Sequence, residues 1–255
     1  MNVSQVDGVQ VFRKFYVENK KFFEKMPLSQ SRCIVIVGPA GSGKTEVAVN
    51  LAFYFVQERE KVAIVDLDFV NPYFRSREAK SLMEANGIKV VVSPYKEIQA
   101  SELPSFQPEA SGLLDNENYT IIYDVGGGKA GAAALARMRE KLEKASCKMV
   151  AVYNPFRPFV ADNKGFWEEI KDIEETCGLN VSSFVLNPNA SYSTEKSVVL
   201  EGIDRSKKVL KEKIKNVEFL SVWEGVGKDA DFSEFEELGF YVLPIKRYQL
   251  LPWEK

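Results

Sequence analysis

The chain has 255 residues, of which 45% are hydrophobic and 27% are charged, so it is long and apolar enough to form a sizeable core. Its net charge of −2 gives no overall positive field for nucleic acid or anionic lipid. It contains no histidine, and its three cysteines (Cys33, Cys147 and Cys177) are far apart, which argues against a zinc or iron–sulfur site and predicts no disulfide.

Targeting signals are not evident in the chain. The sequence shows neither a signal-peptide pattern nor an apolar run of transmembrane length. We therefore expect a soluble, cytoplasmic protein.

Hydrophobic periodicity predicts an amphipathic helix over residues 6–26, which Pro27 ends. Strands and helices then alternate, which is typical of an α/β fold with a mostly parallel sheet of seven to eight strands and helices on both faces. The predicted strands are 33–38, 62–67, 89–93, 119–124, 148–153, 181–186, 217–222 and 240–243, and the predicted helices are 43–59, 74–86, 129–145, 160–176 and 194–213. We expect one domain over residues 31–255, containing a surface excursion at 93–118. Residues 1–30 would form a helix that packs on or beside it, or that docks a partner or a second copy.

The first strand is followed by a glycine-rich loop, Gly38-Pro39-Ala40-Gly41-Ser42-Gly43-Lys44-Thr45, and then by a helical pattern. Strand, glycine loop and helix form the context of a phosphate-binding P-loop. The glycines (Gly38, Gly41 and Gly43) and Ser42 would let backbone amides point at phosphate oxygens, aided by the helix N-terminus. Lys44 would reach the β- and γ-phosphates, and the Thr45 hydroxyl would bind Mg²⁺. The sequence therefore predicts a bound nucleoside triphosphate.

The second strand ends in two acids, Asp66 and Asp68. The carboxyl ends of strands are where open α/β sheets bind ligands, so a carboxylate here can hold Mg²⁺ through water or accept a proton from an attacking water. The alternative is that Asp68 is a solvated acid that caps the helix predicted from residue 74.

The strand 119–124 ends in Asp124, followed by Val125 and three glycines that include Gly127. This pattern fits an acid on the Mg²⁺ side and a mobile loop whose amide approaches the γ-phosphate. The alternative is a flexible turn with Asp124 exposed.

Asn187 ends the strand predicted at 181–186. Its amide has donors and an acceptor that could contact a purine edge. A guanine-reading loop of the Asn-Lys-x-Asp type would have an acid at position 190, where this chain has Ala190, so adenine is favoured. Asn187 could also be an ordinary turn residue before proline.

The P-loop, then Asp66-Leu67-Asp68, then Asp124-Val125-Gly126-Gly127, resembles the MinD/ParA/CobB-type P-loop ATPases over about residues 31–245. The resemblance implies that Lys44 and Thr45 bind phosphate and Mg²⁺, and that Asp68 positions or activates the attacking water. It also implies that Asp124 lies on the Mg²⁺ side and that Asn187 contacts the base.

One position departs from that family. Where many of its members have a signature lysine that reaches the nucleotide of a partner subunit, this chain has Pro39. A nucleotide-bridged homodimer would therefore need another cation, for which the candidates are Lys129, Arg75 and Arg77.

Three functions follow from these features. The first is an ATP-driven switch with slow hydrolysis, in which loops 66–78 and 124–131 act on a protein partner. The second is an ATP-dependent ligase, amidation enzyme or small-molecule kinase similar to dethiobiotin synthetase, with a substrate pocket built by 93–118. The third is partition or membrane positioning. For this third function residues 244–255 would have to anchor the protein, whereas the same residues could simply pack on the domain.

Overall fold

Eight apolar segments form one parallel sheet in the computed structural model, which describes residues 14–68, 80–92, 106–158, 163–226 and 232–248. The strands are β1 (Cys33–Val37), β2 (Val62–Leu67), β3 (Ile88–Val92), β4 (Thr120–Val125), β5 (Lys148–Tyr153), β6 (Ser183–Leu186), β7 (Val217–Trp223) and β8 (Val242–Ile245). Their order is β3-β2-β4-β1-β5-β6-β7-β8, and every neighbouring pair is parallel. The predicted α/β fold and its strands are confirmed.

Helices connect these strands and cover the sheet on both sides. Within the described residues they include α1 (Lys20–Glu24), α2 (Lys44–Phe55), α3 (Lys80–Ala85), α4 (Phe106–Gly112), α5 (Gly128–Ala136), α6 (Arg139–Lys144), α7 (Asn163–Cys177), α8 (Lys196–Leu210) and α9 (Ser233–Glu237). Residues 14–18 are also helical. None of them combines the length and the apolar character that crossing a bilayer requires.

The central strand β1 is buried on both faces. Ile34 and Ile36 pack into the core layer that contains α2, whereas Val35 and Val37 point into the opposite layer with α7. A strand covered on both sides must be apolar at every position, which explains the continuous run Cys33–Val37. Two hydrophobic layers therefore hold the P-loop strand at the centre of the sheet.

The described part of the N-terminal segment packs on the outer side of α2. The Tyr16 ring stacks on Phe53 with ring centroids 5.1 Å apart, and its hydroxyl donates a hydrogen bond of 2.7 Å to Asn50. Phe23 stacks in the same way on Tyr54. These aromatic contacts cover part of α2. Residues 6–13 of the predicted helix lie outside the described part.

Several stretches differ from the helices predicted by periodicity. The helix expected at 6–26 is interrupted at Asn19 within its described part, and α9 lies where no helix was predicted. The helix expected at 129–145 is two helices, α5 and α6, which separate where Met138 turns into the core. In the excursion 93–118, for which no helix was predicted, residues 106–112 form α4, while 93–105 lie outside the described residues. Pro108 obscured this helix in the sequence, but proline is tolerated in a first turn, where its missing N–H has no helical partner.

The expectation that no disulfide forms is wrong. Cys33 and Cys147 are bonded, with their Cα atoms 4.6 Å apart. Ile34 of β1 lies opposite Lys148 of β5, so the register of the two strands sets the preceding cysteines side by side. A separation of 114 residues concealed this pairing in the sequence. Cys177 is a buried free thiol.

Candidate functional site

The loop between β1 and α2 has a backbone that requires glycine at two positions. Gly38 has a φ of 133°, and a Cβ built on it would lie 2.6 Å from the Val152 carbonyl oxygen. Gly43 has a φ of 94°, and its Cβ would lie 2.1 Å from Asn187 Nδ2. Both contacts are too short for any side chain. The curled loop leads directly into α2, whose free N-terminal amides favour an anion.

Lys44 is held inside this loop. Its side chain is nearly buried (7% exposed), and its Nζ donates a hydrogen bond of 2.9 Å to the Pro39 carbonyl. Burial lowers the pKa of Lys44, while the negative charges of Asp124 and Asp68 act in the opposite direction. A phosphate oxygen is a stronger acceptor than a carbonyl, so an anion in the loop would replace Pro39 as the partner of the ammonium group.

Two acids lie side by side below the loop. Asp66 of β2 is opposite Asp124 of β4 in the register, and both are buried. Burial and the neighbouring Asp66 raise the pKa of Asp124 to about 8, against the effects of a hydrogen bond with Thr45 and the charge of Lys44. Asp124 Oδ2 is buried, and the described residues offer it no hydrogen-bond partner. The site therefore holds an excess of carboxyl groups that an additional cation would stabilise in the ionised form.

These groups fit Mg²⁺, which prefers oxygen ligands and keeps several waters or phosphate oxygens in its coordination shell. Thr45 supplies a hydroxyl in hydrogen-bond contact with Asp124, and Asp66 is the adjacent carboxylate. Over the residues that the structure describes, no cluster of three or more His, Cys, Asp or Glu side chains could hold a metal by itself. A Mg²⁺ ion here would therefore depend on Thr45 and on nucleotide phosphates as well as on carboxylates.

The loop after β4 lies between Asp68 and the P-loop. Asp68 follows β2, and its amide donates a hydrogen bond of 2.9 Å to Asp66 Oδ1. A Cβ on Gly126 would lie 2.8 Å from Asp68 Oδ1, and one on Gly127 would lie 3.1 Å from the Ala40 amide nitrogen. A Cβ at Gly126 would collide with Asp68 and one at Gly127 would be unusually close to Ala40, so the loop lies against both Asp68 and the P-loop immediately before α5 begins.

Asn187 lies below the P-loop, where it is 3% exposed. Its Nδ2 donates a hydrogen bond of 2.8 Å to the Ser42 carbonyl, and its Oδ1 accepts one of 2.9 Å from the Ser221 hydroxyl. These contacts give it a role in holding the loop, which the sequence did not reveal. The expected contact with a base stays a prediction.

The structure also brings to the site residues that sequence reasoning missed. Asn154, which follows β5, is buried and donates a hydrogen bond of 2.9 Å to the Asn189 carbonyl. Three residues later, Arg157 Nε donates one of 2.7 Å to the Gly41 carbonyl. The strand-end position of Asn154 was a usable signal, because the carboxyl ends of parallel strands share one edge. Nothing local in the sequence marks Arg157.

Three cations were considered as replacements for the signature lysine, and only one of them lies in the described residues. Lys129 lies 3.4 Å from Asp172 of α7, and both side chains are largely exposed. Arg75 and Arg77 lie outside the described residues.

The chain is similar to several solved structures, of which the first described here supports the assignment of the fold. The cell division protein FtsY from Thermotoga maritima is 18% identical, with 80% of this chain and 68% of that chain covered and a TM-score of 0.52. The signal recognition particle 54 kDa protein from Aeropyrum pernix, in complex with GDP, is 19% identical, with coverage of 86% and 54% and a TM-score of 0.49. A nucleotide-binding protein from Archaeoglobus fulgidus, in complex with ADP, is 18% identical, with coverage of 86% and 91% and a TM-score of 0.40. No curated protein matches the chain.

A family model gives the more specific result. The model of the CobQ/CobB/MinD/ParA nucleotide-binding domain matches residues 34–237, which include the P-loop, both acidic strand ends and Asn187. The resemblance seen in the motifs is thereby confirmed, and the chain belongs to the CobQ/CobB/MinD/ParA family of P-loop nucleotide-binding domains.

Proposed function

We propose that the protein is a Mg²⁺-dependent ATPase that works as a nucleotide-dependent switch on a protein partner, with slow hydrolysis. The observation that carries this proposal is the contact of the Gly126–Gly127 loop with both Asp68 and the P-loop at Ala40. One loop therefore touches the residue assigned to the attacking water and the loop assigned to the phosphates. A group bound between them would act directly on the start of α5.

Different residues of the site are assigned to phosphate binding, Mg²⁺ binding and activation of the attacking water. Backbone amides of the P-loop and the Lys44 ammonium would hold the β- and γ-phosphates. Thr45 and Asp124 would hold Mg²⁺, with Asp66 supporting it from the next strand, and the bound ion supplies positive charge to the phosphate oxygens. Asp68 would orient the attacking water and take up its proton.

The switch would reside in the loop after β4. With a triphosphate bound, the Gly127 amide could donate to the γ-phosphate and hold the loop against the P-loop. Hydrolysis removes that acceptor, so the loop and the first turn of α5 would be released. A protein partner could read this change at the surface of α5.

ATP is the nucleotide we favour. Asn187 is followed by Pro188, Asn189 and Ala190, and Ala190 offers no carboxylate for the amino group of guanine. The Ala190 amide donates a hydrogen bond of 2.9 Å to the Thr194 hydroxyl, which closes a turn within this loop.

The partner is proposed to be a protein, and a second copy of the chain is one candidate. A homodimer bridged by nucleotide would lack a lysine at Pro39. The location in the cytoplasm stays a prediction. The alternative of a small-molecule ligase or kinase depends largely on residues 93–105, which lie outside the described part of the chain.

Titration calorimetry with Mg²⁺ and ATP, GTP or ADP tests the nucleotide assignment. We expect Lys44→Ala to weaken ATP binding at least about 100-fold, roughly 2.7 kcal/mol, because a buried charge-assisted contact is lost. Lys164→Ala is the matched control, since Lys164 is an exposed lysine on α7. Equal affinities for wild type and Lys44→Ala, or no heat with any nucleotide, would contradict the proposal.

The switch is tested by hydrogen exchange of residues 124–131 with ATP analogue and with ADP. We expect slower exchange with the triphosphate analogue, because the loop then has a γ-phosphate to contact. Identical exchange in both states would exclude this loop as the switch. Rapid transfer of phosphate to a metabolite without a protein partner would favour the kinase alternative.

A further inference from the structure

The turn that follows β5 places an arginine directly over the P-loop. Arg157 Nε donates a hydrogen bond of 2.7 Å to the Gly41 carbonyl. A Cβ built on Gly41 would lie 3.4 Å from Nε, 3.6 Å from Cδ and 3.7 Å from Cζ of the same arginine. The guanidinium group therefore lies close to the backbone of the loop that would receive the polyphosphate and is hydrogen-bonded to it.

Buried contacts fix the conformation of this turn. Asn154 Oδ1 accepts a hydrogen bond of 3.0 Å from the Phe156 amide, and Asn154 Nδ2 donates one of 2.9 Å to the Asn189 carbonyl. The Arg157 amide donates to the Asn154 carbonyl at 3.3 Å. A Cβ on Gly202 of α8 would lie only 3.1 Å from the Phe156 ring, so the helix packs closely against the turn. The backbone that carries Arg157 is thus tied to the loop of Asn187 and to α8.

The charge of Arg157 is available for an anion. In the described residues, its side chain has one hydrogen-bond acceptor, the uncharged Gly41 carbonyl, and no carboxylate partner. Lys129, by contrast, is paired with Asp172, and Pro39 contributes no charge. Of these three residues, Arg157 is the one with a positive charge held at the P-loop.

We propose that Arg157 contacts the nucleotide polyphosphate from within the same subunit and stabilises the charge that develops during hydrolysis. This proposal rests on the proposed function. An arginine presents a planar fork of N–H donors that matches phosphate oxygens, and Nε would exchange the Gly41 carbonyl for them. The site would then be supplied with a second cation without a lysine from a partner subunit.

The chemistry assigned to Arg157 is electrostatic. In hydrolysis, the oxygen of a water molecule bonds to the γ-phosphorus while the bond from that phosphorus to the β,γ-bridging oxygen breaks. The products are nucleoside diphosphate and inorganic phosphate, with the proton of the water passing to Asp68 and then to solvent. Negative charge grows on the bridging oxygen, and arginines that neutralise it in other phosphoryl-transfer sites accelerate the reaction about 10³- to 10⁵-fold.

The test compares Arg157→Ala and Arg157→Lys with Arg137→Ala, which removes an exposed arginine at the end of α5. Two quantities are measured for each variant: kcat for nucleotide hydrolysis, and the affinities for Mg-ADP with and without aluminium fluoride, which mimics the transferring phosphoryl group. Thermal unfolding of each variant checks that the fold is retained.

For Arg157→Ala we expect kcat to fall about 10³-fold and the affinity gained from aluminium fluoride to fall about 100-fold or more, with ADP affinity changed less than about 3-fold. Arg157→Lys keeps the charge but not the fork, so a partial loss is expected. A kcat and an aluminium fluoride effect equal to those of Arg137→Ala would overturn the proposal. The proposal would also be overturned if Arg157→Ala lost as much affinity for Mg-ADP alone as for Mg-ADP with aluminium fluoride. That result would indicate that Arg157 only shapes the loop. Failure of the proposed function is distinguishable, because wild type itself would then bind no nucleotide.

Discussion

The protonation state of Asp124 offers a quantitative test of the site. Its pKa is raised from 3.8 to about 8, chiefly by burial and then by Asp66. Since one pH unit corresponds to about 1.4 kcal/mol, burial favours the neutral carboxyl by several kcal/mol. At pH 7 most of the molecules would therefore hold this proton. If Asp124 holds Mg²⁺ as proposed, it must be ionised in the complex, so Mg-nucleotide binding should release a proton.

The assay is titration calorimetry of Mg-ADP at pH 7 in buffers of different ionisation enthalpy. We expect wild type to release up to one proton and Asp124→Asn, whose amide does not titrate, to release much less. The variant controls for protons bound or released by Lys44 and by the nucleotide. Binding heats that are independent of buffer for wild type, or equal release by both proteins, would refute the reasoning.

The same residue affects stability in a defined direction. Because the folded-state pKa of Asp124 lies above the unfolded value of 3.8, the folded state binds more protons between pH 4 and pH 8. This carboxyl therefore lowers stability progressively as pH rises through that window. Without Mg²⁺ or nucleotide, Asp124→Asn should gain stability relative to wild type between pH 4 and pH 8, as urea unfolding would measure. A constant difference across that range would show that the carboxyl is not buried in its neutral form.

Three further variants test other parts of the site. Asp68→Asn should bind ATP with near-normal affinity in calorimetry but lose at least about 100-fold in turnover, and normal turnover would remove Asp68 from catalysis. Gly43→Ala should abolish nucleotide binding, because its Cβ would collide with Asn187. Gly87 is the control, since it has a similar positive φ but open space around it. Gly87→Ala should lower the free energy of unfolding in urea by only about 1–3 kcal/mol. Asn187→Ala should weaken ATP and GTP binding equally if the residue only holds the P-loop, and it should change their ratio if it also contacts the base.

Much of the fold could be predicted from local patterns. Eight apolar runs separated by helical segments specify parallel strands, because strands buried on both faces are apolar at every position. The P-loop is equally local, since positive φ values at Gly38 and Gly43 require glycine at those positions. Helix ends were less predictable. The break between α5 and α6 is set by packing of Met138 rather than by a local stop signal.

The sequence by itself determined the strand–loop–helix unit around Lys44 and the acids at two strand ends, because glycine conformation and hydrophobic period act over a few residues. Only the tertiary structure decided which of these groups meet. The strand order inserts β4 between β2 and β1, which sets Asp124 beside Asp66. The same packing ties Asn187 and Arg157 to the P-loop from distances of more than 100 residues along the chain. Such contacts depend on the pairing of distant strands and on buried polar groups finding partners, which no short segment of sequence specifies.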